Sequence, residues 1–282
     1  RRVLFRSHFY LKTFCIMTAN RLANLQGRIM QLLRIPLILS TLLLATIISP
    51  LASADFLGLY AGVGAWQAKP QGEVGRSNIN LNSTLNLDEE SNRFVYIALE
   101  HPIPLIPNIR LQHTEMDWVG NALISAGTDL NGSPFLATEQ ADVTLNLTHT
   151  DATFYYEILD NVVDLDLGIT ARVFDGDASL ASPSQQEAID LGATVPMIYG
   201  KAGIDIPFTI ISGALVANWV NVDDFRLIDW SAEVTFEMDL APAVDAGLVL
   251  GYRSLQVEID DFEELQSDAR FEGYFVALQL HF

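Results

Sequence analysis

The last nine residues place Tyr274, Val276, Leu278, Leu280 and Phe282 at every second position. Phe275, Ala277, Gln279 and His281 lie between them. A period of two gives an extended strand one apolar face. The pattern recurs upstream. Val163, Leu165, Leu167, Ile169, Ala171 and Val173 alternate with Asp164, Asp166, Gly168, Thr170 and Arg172. Trp230, Ala232, Val234, Phe236 and Met238 alternate with Ser231, Glu233, Thr235, Glu237 and Asp239. Ala246, Leu248, Leu250 and Tyr252, and likewise Val143, Leu145 and Leu147, occupy every second place. A chain built from such segments is all-β.

Alternation alone does not separate a water-soluble sandwich from a membrane barrel. Charges on nearly every polar face suit a wet lumen, with the apolar face turned to lipid. Aromatic residues gather near the expected strand ends, at Tyr60 or Trp66, Tyr156, Trp219, Trp230, Tyr274 and Phe282. Interfacial girdles have this character.

Expected strands fall near 56–68, 91–100, 108–117, 141–158, 162–174, 189–206, 209–222, 229–239, 244–257 and 269–282. Connections at 101–107, 159–161, 207–208 and 240–243 are short. Those at 69–90, 118–140, 175–188 and 258–268 are long, and 223–228 is intermediate. The expectation is a closed antiparallel transmembrane β-barrel with short periplasmic turns and long outer loops. It has about ten strands, with eight as the alternative. The apolar residues of the fourth strand change from odd to even numbers, which predicts a bulge near His149–Thr153. Pro196 falls inside the sixth strand and predicts a bulge or a later start. Leu167 is expected to face lipid and Gly168 the lumen, so that arginine at 167 is costly and serine at 168 tolerated.

The first 54 residues differ from the rest. They hold seven Arg/Lys and no acid, whereas residues 55–282 hold nine Arg/Lys against all 35 acids, a net of −26. That acidity argues against nucleic-acid binding. The single cysteine, Cys15, precedes residue 55, so no disulfide, cysteine metal site or thiol nucleophile is available after it. Arg34, the apolar run Ile35 to Ile48, Pro50 and the Ala52-Ser53-Ala54 triplet read as a cleaved signal peptide over 30–54. Cleavage is expected after Ala54, with Ala52 and Ala54 as the small-residue pair. Residues 1–29 read as a non-native leader, and 55–282 as the barrel.

The alternation that ends in Phe282 resembles the C-terminal assembly signature of bacterial outer-membrane β-barrels, here carried by Tyr274, Val276, Leu278, Leu280 and Phe282. Further stretches resemble a family of small, poorly characterised Gram-negative outer-membrane barrels. They are Leu57 to Trp66, Ala98 to Pro104, Tyr199 to Ala202, Leu248 to Ser254 and the terminal strand. The resemblance implies an outer-membrane location and the barrel-assembly machinery as a partner. It supplies no activity and no site.

Candidate chemistry is sparse. His101, His113, His149 and His281 lack metal-ligand spacing, so neither a metal nor a cofactor is expected. Asp223-Asp224 and Asp260-Asp261 make a rim protease conceivable, without a sequence-adjacent histidine. The acidic stretch Glu258 to Glu264 lacks the spacing of a calcium loop. The informative residues are the lumen charges. Glu100, Glu157, Asp164, Asp166, Asp205, Glu237, Asp239 and Asp245 are expected in the periplasmic half, with Arg110 and Lys201 bridging several of them. Arg172 and Arg253 are expected in the outer half. Gly58, Gly62, Gly64, Gly168, Gly247 and Gly251 on the same faces leave space. Three functional classes follow: a plugged structural or interaction barrel, a narrow cation-preferring channel, and a protease- or acylase-like enzyme, with no enzymatic activity as the expectation. Outer-membrane lipid, lipopolysaccharide and a monomeric state complete it.

Overall fold

The computed structural model describes residues 57–130, 132–241, 244–262 and 265–282, without the side chains of 260–266. The signal-peptide and leader expectations for residues 1–54 lie outside them. Among the described residues, ten antiparallel strands form a closed barrel. They are β1 (Gly58–Val74), β3 (Glu90–Glu100), β4 (Asn108–Thr114), β7 (His149–Leu159), β8 (Val163–Phe174), β11 (Ala193–Asp205), β12 (Ile211–Val222), β13 (Phe225–Ala241), β14 (Val244–Phe262) and β15 (Leu265–His281). The ring closes where β15 pairs with β1, from Tyr60↔His281 to Val74↔Ser267. A short β2 (Ile79–Asn80) adds to the outer end of β1.

Closure leaves no unpaired sheet edge, which is the condition for spanning hydrocarbon with strands. The outward rows are apolar and exposed, among them Val63, Ile97, Leu111, Leu167, Ile198, Leu215, Leu250 and Leu278. Such a continuous apolar surface on a closed barrel belongs in lipid. Tyr156, Trp219, Trp230, Tyr274 and Phe282 also point outward. Two expected girdle residues do not. Trp66 is completely buried, and Tyr60 stacks on His281 inside the barrel at 4.2 Å between centroids.

The outer loops contain more regular structure than expected. β5 (Asp117–Ile124), β6 (Glu139–Asn146), β9 (Asp177–Ala181) and β10 (Gln186–Asp190) form a second sheet in the order β10-β9-β6-β5. Each continues a barrel strand across a two-residue break. Bonds such as Leu147 N–H to the Met116 carbonyl (2.8 Å) and Asp175 N–H to that of Thr148 (2.9 Å) carry the ladder through. The expected 223–228 loop is instead a two-residue turn, Asp223-Asp224, with Asp223 at φ 51°.

The expected bulge at His149–Thr153 is absent: β4 and β7 pair without a shift from Thr114↔His149 to Asn108↔Tyr155. Odd-numbered residues point inward on both β6 and β7. What changes is the interior they meet. Val143 and Leu145 enter an apolar core above the membrane, whereas Asp151 and Thr153 enter the polar lumen. Pro196 sits opposite Ala171 of β8, beyond the last β11–β12 pair, Ile198↔Trp219. Its missing N–H therefore leaves no β12 carbonyl unpaired.

The outer lobe has its own core. Leu81, Leu85 and Leu87 pack with Trp118 and with Leu255 and Phe271, which point inward from β14 and β15. The Trp118 indole lies 4.8 Å from the Phe271 ring and donates to the Ala68 carbonyl at 3.3 Å. This core fills the outer end of the barrel.

Candidate functional site

The inward rows of a ten-stranded barrel meet across a lumen that side chains can fill. All the expected lumen charges occupy such rows, but only some come together. Arg172 on β8 is fully buried and donates from Nε and Nη2 to Asp151 on the neighbouring β7, at 2.7 and 2.6 Å. The same Nη2 reaches Asp229 on β13 at 2.6 Å. Arg253 on β14 donates from Nε and Nη2 to Asp229 at 2.9 and 2.7 Å. Its guanidinium also covers the Trp66 ring, 4.7 Å from the centroid. Two arginines and two aspartates thus form one network across the lumen. Fork geometry gives such pairs direction as well as strength. Arg172 Nη1 and the nearby His149 Nε2 are buried without a protein partner.

Asp151 and Asp229 were not among the expected lumen charges. Asp229 was within reach of parity, since it continues the inward row Ser231, Glu233, Thr235. The assumed bulge concealed Asp151. A layer beneath, Thr153 and Thr170 bond at 2.8 Å, and the Thr170 hydroxyl donates to Asn218 Oδ1 at 2.7 Å.

Below these lies a cavity of about 100 Å³. Its walls carry Tyr96, Arg110, Gln112, Tyr199 and Glu233, with Phe94, Val216, Val249 and Phe275 as apolar surface. The expected role of Arg110 is corrected here. It bridges no acid; it lies over the Tyr96 ring at 4.0 Å and donates to Gln112 Oε1 at 3.0 Å. Lys201 pairs only with Asp166, at 3.6 Å.

The remaining acids occupy the periplasmic end. Glu100 accepts from the Tyr155 hydroxyl at 2.6 Å. Glu237 accepts from Ser212 at 3.2 Å, and Asp245 lies 3.9 Å from the His281 ring. Glu157, Asp205 and Asp239 are exposed, and Asp164 is partly so. The inward glycines do not leave the space expected of them. The Tyr96 ring occupies the place above Gly62, Phe94 that above Gly64 and Phe275 that above Gly251. At Gly168 a side chain would meet the Phe154 carbonyl oxygen and Tyr155 Cα of β7, so serine does not fit there without backbone movement.

Among the described residues no histidine joins Asp223 and Asp224 at the outer rim: His149 is buried in the barrel, and His113 bonds Thr150 on the outer wall at 3.0 Å. Among the described residues, no group of three or more His, Cys, Asp or Glu side chains converges as a metal site would require. The side chains of Asp260 and Asp261 lie outside those described.

No family model matches the sequence, and no curated protein matches it. Solved structures with a similar course of chain are outer-membrane proteins. The outer membrane protease OmpT of Escherichia coli has a TM-score of 0.42 at 10% identity, over 82% of this chain and 98% of that one. A Pseudomonas aeruginosa FadL homologue gives 0.34 at 8%, over 81% and 90%. The transport unit of the E. coli autotransporter AIDA-I gives 0.33 at 10%, over 83% and 92%. The closed ladder, its exposed apolar belt and its outward aromatics decide the class. The chain is an integral β-barrel of the bacterial outer membrane. In this outer-membrane barrel the network of Arg172, Asp151, Asp229 and Arg253 lies beneath an apolar plug.

Proposed function

We propose that this protein is a closed outer-membrane barrel with a structural or interaction role in the envelope, presented by its outer lobe and periplasmic turns. The observation that carries this reading is the contact of Arg172 with Asp229 across the lumen, both nearly without solvent exposure. Charged groups with so little solvent exposure, linked from β7 to β14, narrow the lumen at this level. Residues 30–54 serve in this reading as the export signal, and the Tyr274–Phe282 row as the address for barrel assembly. The barrel works as a monomer in contact with lipopolysaccharide, and no catalytic step is part of the proposal. The deciding experiment is single-channel recording in planar bilayers with the folded protein. Absence of conductance is expected, and discrete conductance steps would overturn the reading. A second reading, a narrow cation-preferring path, draws support from the exposed acids Glu157, Asp205 and Asp239 at the periplasmic mouth. Cation-selective steps that shift toward anions in Asp164→Asn/Asp166→Asn would favour it.

A further inference from the structure

The cavity beneath the ion network has polar groups whose hydrogen-bonding capacity the protein itself leaves partly unused. Arg110 stands on β4 and Glu233 on β13, half-way round the ring from each other. The guanidinium uses one donor, toward Gln112, and makes no salt bridge. Glu233 forms neither a hydrogen bond nor a salt bridge among the described residues, although it faces Arg110 and Lys201 electrostatically. Tyr199 is 4% exposed, and its hydroxyl has no hydrogen-bond partner among them either. On the β3, β15 and β14 side the wall between these groups is apolar, with Phe94 and Phe275 in edge contact at 5.8 Å, while Arg172, Asp151, Asp229 and Arg253, already engaged with one another, form the roof.

Two opposite charges on facing walls, with apolar surface between, select a particular chemistry. An anion alone would satisfy Arg110 and leave Glu233 facing it. A cation alone would do the reverse. A molecule carrying both a carboxylate and an ammonium, with a small apolar substituent, meets all three surfaces. Buried polar groups need such partners, and a small pocket with a few fixed polar groups supplies specificity. The volume, about 100 Å³, admits a molecule with only a few heavy atoms. Solvent reaches the lumen on the periplasmic side of the cavity, where Lys201, the next inward residue of β11 after Tyr199, has a side chain 32% exposed.

We propose that this cavity is a binding site for a small zwitterion of the α-amino-acid class. Arg110 holds the carboxylate, Glu233 the ammonium, and the Phe94–Phe275 wall the side chain. The inference is independent of whether the barrel conducts, since the site lies on the periplasmic side of the ion network.

The test is equilibrium dialysis of radiolabelled L-alanine against the folded barrel in nanodiscs. One saturable site is expected, with acetate, ethylamine and L-tryptophan failing to compete. Arg110→Gln and Glu233→Gln should each weaken binding at least tenfold. Val216→Phe, which fills the cavity from a third wall, should abolish binding and keep heat-modifiable migration, so that loss of the site is separated from loss of the fold. No saturable binding by the folded wild type would overturn the proposal. So would full competition by acetate alone, or unchanged binding in both charge variants. A conducting barrel that still binds alanine would refute the closed-barrel reading and leave this one standing.

Discussion

Arg172 of β8 and Asp229 of β13 touch at 2.6 Å across the lumen, although 57 residues of chain and two intervening strands separate them. The contact bridges the curvature of the sheet, since β11 and β12 lie between the two strands. Each member is held again by a neighbour on the adjacent strand, Asp151 for Arg172 and Arg253 for Asp229. Removing one arginine therefore leaves two buried carboxylates short of a partner. Arg172→Met should destabilise the barrel by about 3–5 kcal/mol, the usual cost of breaking a buried pair from one side. The contribution of the pair itself is measured by adding Asp229→Asn and comparing urea unfolding in lipid vesicles. Strictly additive effects of the two substitutions would show that the pair is not coupled.

How far the sequence carries toward this structure depends on what each residue meets. Lipid imposes one demand on the outward face, so the rows from Val163 to Val173 and from Trp230 to Met238 were readable by parity alone. The inside imposes different demands at different heights. Val143 and Asp151 point the same way from one continuous strand course, yet one enters an apolar plug and the other an ion network. Reading a change in polarity as a change in phase led to a bulge that does not exist. The crossing contact is unreadable for another reason. Which inward residue of β13 meets Arg172 depends on the stagger of the closed barrel, a property of the whole ring. Glycine occupancy is similar: nothing near Gly62 in the sequence announces that a ring from β3 lies over it.

The face assignment can be tested on one strand. Leu167 is exposed on the lipid side of β8, and arginine there should cost about 2–4 kcal/mol near the bilayer midplane. The earlier expectation that serine would be tolerated at 168 is replaced by its opposite, since a side chain there strikes the β7 backbone. A better silent control is Asp164→Asn, at the wetter periplasmic end of the inward row. Equal loss of folding free energy in Leu167→Arg and Asp164→Asn would contradict the assignment.

The outer lobe has a pH-dependent tie. Glu139 accepts from the Ser184 hydroxyl at 2.7 Å and from its N–H at 3.3 Å. Hydrogen bonds from the Ser184 and Ser182 side chains hold its carboxyl below the ordinary glutamate value of 4.5. A depressed folded value means that the contribution is fully present above the unfolded pKa and is lost as pH falls through the lower, folded one. The Glu139 carboxyl carbon should therefore titrate by NMR below 4.5, and Ser184→Ala should raise the midpoint. A midpoint insensitive to that substitution would mean that the serine contact is not made in solution.

In the closed-barrel reading the plug and the ion network each block the lumen, so their contributions can be separated. Trp118 is 1% exposed between the lobe and Phe271. Trp118→Ala removes a large buried ring and should cost the lobe about 3–5 kcal/mol. The segment 79–87 should then become sensitive to external protease. If the closed-barrel reading holds, this variant should be as non-conducting as the wild type, because Arg172 and Asp229 still meet beneath. Protease resistance equal to wild type would mean that Trp118 does not hold the lobe in place.

The last barrel strand is tied to the first by reciprocal backbone bonds, Phe282 N–H to the Leu59 carbonyl at 2.9 Å and Leu59 N–H to that of Phe282 at 3.2 Å. These rungs lie at the periplasmic end of the β1–β15 seam, the pairing that closes the described strands into a barrel. The Phe282 side chain also ends the outward row with Tyr274, Val276, Leu278 and Leu280. Deletion of Phe282 therefore removes two seam bonds and the aromatic at the lipid boundary together. Phe282→Ala keeps the backbone bonds and removes only the ring. If closure of the seam limits assembly, deletion should lower the heat-modifiable, folded fraction in the outer membrane far more than Phe282→Ala does. If the aromatic is what the assembly machinery reads, the two variants should fall equally, with synthesis and export intact in both. Wild-type folded yield in both variants would show that the terminal residue serves neither purpose.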